Sequence, residues 1–88
     1  MFRVEWLRSA LEELTEFWTK ADSNQRKIIT KASHFLEQEL QINAPNLGES
    51  RPKECRIAFV PPLAVTFRIE SDGKTVTVVH VRAFWRRK

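Results

Sequence analysis

Apolar and polar residues alternate singly at the start of the chain and then change to a helical spacing. Phe2, Val4 and Trp6 are separated by charged residues, which is the two-residue period of a strand with one buried face. From about Ser9 the apolar residues recur at every third or fourth position, with Glu12 placed to complete a capping box on a Ser9 N-cap. The pattern therefore predicts a short strand followed by an amphipathic helix.

A second helix follows a polar break in the chain. The polar residues 22–24 end the first helix and supply an N-cap for the next, in which an apolar stripe continues as far as Leu40. Two helices joined by so short a link form an antiparallel hairpin. Residues 43–53 contain two prolines and one glycine without an apolar period, so this segment is predicted to be a loop.

The second half of the chain has the period of strands. Two stretches, 55–59 and 63–70, alternate apolar and polar residues. A three-residue connection between them, residues 60–62, would place Phe59 opposite Leu63 and bring the two apolar faces to the same side. In that register Arg56, Ala58, Ala64, Thr66 and Arg68 share the other side.

A tight turn and one further strand complete the predicted fold. The Asp-Gly pair at positions 72–73 is typical of a hairpin turn, and it leads into a strand at residues 75–82. The end of this strand is apolar on both faces, as in a central strand, so the pattern does not fix its register. We predict a single α+β domain over residues 1–88, in the order β-α-α-β-β-β. A four-stranded, mainly antiparallel sheet would carry the helical hairpin on one face, with its other face open.

Composition narrows the classes of function. A chain of 88 residues has room for one core. The lone Cys55 rules out a disulfide within the chain and favours a reducing compartment. Charges interrupt the N-terminal apolar residues, and no stretch approaches the ~18 apolar residues of a membrane span, which predicts a cytoplasmic protein without a signal peptide. No Gly-rich loop, CxxC or HExxH motif occurs, so we expect neither a metal nor a cofactor.

Charge is divided unevenly along the chain. Residues 1–44 carry six Lys and Arg against seven Asp and Glu, whereas residues 45–88 carry nine against four. This asymmetry favours an anionic partner, because arginines bind phosphates through paired hydrogen bonds. The candidate nucleic-acid ligands are Arg51, Lys53, Arg56, Arg68, Arg82, Arg86 and Arg87. The alternative is that several of them only solvate the sheet or pair with Glu54 and Glu70.

Three other side chains are candidates for function. His80 lies near the end of the last predicted strand beside Arg82, and it could carry a proton near neutral pH. Its alternative role is that of a hydrogen-bonded histidine at the end of the sheet. Phe84 and Trp85 either fold back onto the core or form an exposed apolar patch that binds a partner.

Several segments, in their order and spacing, resemble the RelE/ParE superfamily of bacterial type II toxin–antitoxin toxins, also called the plasmid stabilisation family. They are VEW at 4–6, ALEEL at 10–14, NAPNLG at 43–48, PLAVTFRI at 62–69 and TVTVVHVR at 75–82. The resemblance implies a compact toxin that a small antitoxin wraps around and neutralises. RelE-like members cut mRNA on the ribosome, whereas ParE-like members inhibit DNA gyrase.

The match to the residues of RelE-like nucleases is incomplete. Arg56 corresponds to their basic residue on the strand that enters the sheet. The C-terminal tyrosine of many RelE-like enzymes is missing, because the sequence contains no tyrosine. Alanines stand where such nucleases are often basic, at Ala58, Ala64 and Ala83. The resemblance thus implies a toxin that is either a metal-independent mRNA endoribonuclease, with Arg56, Arg82 and His80 as catalytic candidates, or a ParE-like gyrase inhibitor or diverged binding protein. The departures favour binding over cutting.

Overall fold

The computed structural model describes residues 1–51 and 54–84, and it contains two helices and a five-stranded sheet. In chain order the elements are β1 (Arg3–Trp6), α1 (Arg8–Lys20), α2 (Ser23–Asn43), β2 (Glu49–Arg51), β3 (Cys55–Val60), β4 (Leu63–Ile69) and β5 (Thr75–Ala83). A single turn of 3-10 helix, Ala44–Asn46, joins α2 to β2. The predicted α+β class and helical hairpin are confirmed. The predicted strand count of four was wrong, because β2 forms within the segment expected to be a loop.

The two helices begin in different ways. The N–H of Leu7 donates to the carbonyl of Val78 at 3.0 Å, so α1 begins directly where the backbone pairing of β1 ends. Leu7 is therefore the N-cap residue, and the predicted Ser9 cap was wrong. At α2 the predicted polar cap is confirmed, since Asp22 and Gln25 bond each other's backbone N–H groups with their side chains at 2.8 and 3.0 Å.

The strand order in the sheet is β1-β5-β4-β3-β2. β1 pairs parallel to β5, and the other pairs are antiparallel. β5 is thus internal to the sheet, as its two apolar faces predicted. A bulge fixes the register that the sequence left open: Thr66 pairs with His80 while Phe67 pairs with Val78, which makes Val79 the extra residue of β5.

The connection between β3 and β4 differs from its prediction. Pro61 and Pro62, joined by a cis peptide bond, form a two-residue turn, and Val60 pairs with Leu63. The predicted three-residue connection was wrong, and the register shifts by one position relative to it. Because side chains alternate between the faces of a strand, this shift exchanges the two faces of β3. The odd-numbered positions 55, 57 and 59 consequently face away from the helices.

The core lies between the helical hairpin and one face of the sheet. The sheet contributes fully buried Val65, Phe67, Val76, Val78 and Val81, and the helices contribute Ala10, Ala32, Leu36 and Leu40. Complete burial of one such large side chain stabilises the fold by roughly 1.5–3 kcal/mol. Among the residues that the structure describes, no helix covers the other face of the sheet, so the predicted one-sided packing is confirmed. None of the described helices is long and apolar enough to cross a membrane.

The predicted turn before β5 is confirmed and is held by one carboxylate. Asp72 Oδ1 accepts hydrogen bonds from the N–H groups of Lys74 and Thr75, at 2.7 and 2.9 Å, and its Oδ2 accepts one from the Thr75 hydroxyl at 2.8 Å. The bonds from Lys74 and Thr75 lower the pKa of Asp72. Gly73 supplies the left-handed conformation of the turn, with φ at +69°.

Replacement of the two glycines by alanine should have different costs. Both have φ at +69°, but a Cβ on Gly48 would lie 2.0 Å from the carbonyl oxygen of Ile57, whereas a Cβ on Gly73 would meet nothing within 4 Å. Gly73→Ala should lower the free energy of unfolding by about 1–2 kcal/mol through backbone conformation alone. Gly48→Ala should lower the free energy of unfolding by ~1–3 kcal/mol more than Gly73→Ala does, because the backbone of β3 must move. Urea unfolding of both variants measures the difference, and equal losses would contradict the close approach at Gly48.

Candidate functional site on the open face of the sheet

Side chains of the three longest strands form the face of the sheet that no described helix covers, which we call the open face. Paired residues of antiparallel strands point to the same side, with Cβ atoms about 4.5–5.5 Å apart. Three rows therefore cross the open face from β3 through β4 to β5. They are Phe59, Ala64 and Arg82; Ile57, Thr66 and His80; and Cys55, Arg68 and Thr77.

Arg82 is an exposed cation of the open face. Its side chain is exposed, and it makes no hydrogen bond or ion pair with any residue that the structure describes. Its neighbours in the row are the half-exposed ring of Phe59 and the small side chain of Ala64. The first row thus presents an apolar surface with a guanidinium group at one end.

His80 lies against a carboxylate from the first helix. Its Nδ1 is 3.7 Å from Oε1 of Glu13, and 57% of its side chain is exposed. The same Glu13 oxygen accepts the N–H of Val81 at 3.1 Å. This contact occurs because β1 ends opposite Val78, so α1 lies beside the outer edge of β5 beyond that point. No spacing in the sequence indicated that Glu13 would meet His80.

Arg68 is held by an ion pair on the open face. Its Nε and Nη2 donate to the two oxygens of Glu70 at 2.9 and 3.2 Å, and the Thr77 hydroxyl donates to the same carboxylate at 2.7 Å. The hydrogen bond from Arg68, followed by that from Thr77, lowers the pKa of Glu70. The contact with Glu70 in turn raises the pKa of Arg68. The alternative given for Arg68, pairing with Glu70, is therefore the one observed. The carboxylate of Glu70 largely offsets the charge of Arg68.

Arg56 lies on the other face of the sheet. Its Nε, Nη1 and Nη2 donate to the carbonyl of Leu47, the hydroxyl of Ser50 and the carbonyl of Gly48 at 2.9, 2.9 and 3.0 Å. These bonds attach the start of β2 to β3. The three catalytic candidates are consequently not brought together: Arg82 and His80 share the open face, while Arg56 holds the start of β2 from the opposite face of the sheet.

The remaining candidates are only partly gathered on the open face. Arg51 lies at the β2 edge on this side and pairs with Glu49 at 3.3 Å. Phe84 is about half exposed, and its N–H donates to the Pro62 carbonyl at 2.9 Å. The positions Lys53, Trp85, Arg86 and Arg87 lie outside the described residues. Arg3 and Glu5, which were not among the candidates from the sequence, lie on the same side as Thr77 because of the two-residue period of β1.

The fold matches solved structures over nearly its whole length. It is similar to a chain of the chromosomal ParDE toxin–antitoxin system of Pseudomonas aeruginosa, with a TM-score of 0.77, 16% identity and coverage of 97% of this chain and 98% of that chain. It is also similar to a chain of the toxin–antitoxin complex RelBE2 of Mycobacterium tuberculosis, with a TM-score of 0.73, 17% identity and coverage of 94% of this chain and 91% of that chain. The chain has the RelE/ParE toxin fold. A YoeB/ParE toxin of Agrobacterium tumefaciens has a TM-score of 0.64 and 16% identity, with coverage of 96% and 100%.

Comparisons by sequence give no further identification. No protein-family model matches the chain, and no curated protein matches it. The resemblance in segment order is therefore supported at the level of the RelE/ParE fold. Within residues 1–51 and 54–84 no group of three or more His, Cys, Asp or Glu side chains is placed to hold a metal ion.

Alanine substitutions of Arg56 and Arg82 should show which arginine stabilises the fold and which one is only part of the surface. Arg56→Ala should lower the free energy of unfolding by about 1–3 kcal/mol, because it removes three hydrogen bonds from a charged donor. Arg82→Ala removes no hydrogen bond or ion pair with a described residue and should change stability by less than about 0.5 kcal/mol. Denaturant unfolding tests both variants. If Arg56→Ala were as stable as the unchanged protein, the contacts of Arg56 would not support the fold.

The Glu70 contacts should give stability a defined pH dependence. The pKa of Glu70 is lower in the folded chain than in the unfolded one, so its contribution is complete above the unfolded value and disappears as the pH falls through the folded value. Thermal unfolding of Glu70→Gln should therefore give a lower Tm than the unchanged protein at pH 7. This difference should shrink as the pH is lowered below about 4. A difference that stayed constant down to pH 3 would contradict the Glu70 assignment.

Proposed function

We propose that this protein is the toxin of a bacterial type II toxin–antitoxin pair and acts in the cytoplasm through its open face. The observation that carries the proposal is the shared fold, which extends over 97% of this chain and 98% of a ParDE chain. A second support is the open face itself, where exposed Arg82 and His80 lie beside apolar side chains on the side of the sheet that no described helix covers.

The open face favours a toxin that binds a protein target, as a ParE-like inhibitor of DNA gyrase does. Arg56 is engaged beneath the sheet, and the charge of Arg68 is offset by Glu70. Arg82 remains accessible next to Phe59 and Ile57, and an arginine beside exposed apolar groups is typical of the central residues of protein interfaces. Cleavage of RNA without a metal would require several cations and proton carriers at one phosphate.

The partner in this proposal is a small antitoxin that covers the open face. The similar RelBE2 structure is a toxin–antitoxin complex. Phe59 and Phe84, which are 54% and 48% exposed, provide apolar contacts for such a protein, and Trp85 extends the proposed partner-binding segment. Burial of these rings would exclude the target from Arg82 and His80, which is how the antitoxin would neutralise the toxin.

A second candidate function is a metal-independent mRNA endoribonuclease that acts with the ribosome. The contact between His80 and Glu13 favours it, because a carboxylate beside an imidazole orients the ring. His80 would accept the proton of an RNA 2′-hydroxyl, and Arg82 would hold the phosphate. In this function Arg51, Lys53, Arg68, Arg86 and Arg87 would bind the flanking RNA backbone.

Induced expression and two purified assays distinguish these functions. The unchanged protein should arrest growth and inhibit supercoiling by gyrase while leaving mRNA on ribosomes intact. Phe59→Ala and Arg82→Glu should each weaken gyrase inhibition by at least about tenfold, since both alter the proposed contact. Thr30→Ala, on the outer surface of α2, is the matched control and should inhibit like the unchanged protein.

The other outcomes decide against the proposal. Cleavage of mRNA that is lost in His80→Ala would establish the endoribonuclease and overturn gyrase inhibition as the activity. Induction without any growth arrest would overturn the toxin assignment and indicate a diverged, non-toxic binding protein.

A further inference from the structure

The outer surface of α2 carries a second apolar stripe that does not belong to the core. Ile28, Phe35 and Ile42 are 46%, 53% and 69% exposed. They recur at intervals of seven residues, so they lie within about 40° of one another around the helix axis. The buried face of the same helix contains Ile29 and Leu36 instead. This surface, which we call the α2 stripe, extends about 20 Å along the helix.

Two opposite charges flank the α2 stripe symmetrically. Lys31 and Glu39 stand four residues before and four residues after Phe35. They are about 12 Å apart along the helix, which is too far for an ion pair within one chain. Neither forms an ion pair or a side-chain hydrogen bond with any residue that the structure describes. Each charge therefore lies beside an apolar surface, and no residue three or four positions away on α2 carries the opposite charge.

The order of these residues along α2 makes the stripe complementary to itself when a second copy of the helix lies antiparallel to the first. If two α2 helices meet at Phe35, then Ile28 of one copy faces Ile42 of the other, and Lys31 faces Glu39. A twofold axis through Phe35 repeats both contacts, which is the self-complementarity that a symmetric dimer requires. A seven-residue repeat also suits the shallow crossing angle of helices that pack side by side.

We propose that the α2 stripe is a homodimer interface, formed by antiparallel packing of α2 against α2 of a second copy. Only three large side chains from each copy take part, so the contact lies at the small end of specific interfaces, below ~1,200 Å². The dimer should accordingly be reversible and depend on protein concentration. Since α2 packs on the face of the sheet opposite the open face, dimerisation leaves the proposed target-binding surface uncovered.

Charge exchange across the twofold axis tests this interface in solution. Sedimentation of the full chain over a range of concentrations should show a monomer–dimer equilibrium. Lys31→Glu places two acidic groups together at each of the two symmetric contacts, and Glu39→Lys places two basic groups there. Each single variant should raise the dimer Kd by about tenfold or more at low salt. The double variant restores opposite charges in exchanged positions and should return the Kd to within a few-fold of the original, because the apolar contacts are unchanged.

Apolar substitutions supply the matched control. Phe35→Ser should abolish dimerisation, whereas Leu11→Ser, at an exposed apolar position of α1 outside the stripe, should leave the Kd unchanged. Circular dichroism establishes that each variant is folded. A chain that is monomeric at every concentration, or a dimer whose Kd ignores both charge reversals, would overturn the proposal. These outcomes are independent of growth arrest and gyrase inhibition, so either proposal can fail alone.

Discussion

The pairing of Val60 with Leu63 across the Pro61–Pro62 turn decides which side chains the protein presents to its surroundings. One further residue in the turn would have exchanged the two faces of β3. With the observed turn, Phe59 and Ile57 lie on the open face and Arg56 lies beneath the sheet. The surface proposed for target binding therefore depends on the length of a two-residue turn.

The hydrogen bonds of Arg56 offset the cost of the charge that the observed register places on the helix-covered face of the sheet. A charged side chain beneath the sheet would be costly if its donors lacked partners. The three bonds to Leu47, Gly48 and Ser50 supply them and attach β2 to β3 at the same time. An arginine that resembled a catalytic residue in the sequence is thus better understood as a structural residue, and its position explains why the segment expected to be a loop forms a strand.

The layered architecture gives the molecule two separate outer surfaces. The sheet packs its helices on one side, which leaves Arg82 and His80 accessible on the other. On the covered side, α2 has one face in the core and the apolar α2 stripe facing outward. The proposed dimer contact on the α2 stripe therefore uses none of the residues of the open face, where the proposed target and antitoxin would compete with each other.

The sequence by itself determined the periodic parts of the fold. The alternation at residues 2–6, the polar break at residues 22–24 and the Asp-Gly turn all specify local conformations, and each was predicted correctly. The apolar faces of β5 also indicated an internal strand. These features could be read from the sequence because the residues that determine them are neighbours along the chain.

Only the tertiary structure decided the rest. The β3–β4 register, the bulge at Val79 and the strand β2 depend on hydrogen bonds between residues distant in sequence, which no local pattern records. The same holds for the site: Glu13 meets His80, and Glu70 binds Arg68 next to Thr77, because strand pairing and helix packing bring them together. A list of basic residues could not show which charges are offset. That depends on the position of each carboxylate in the folded chain.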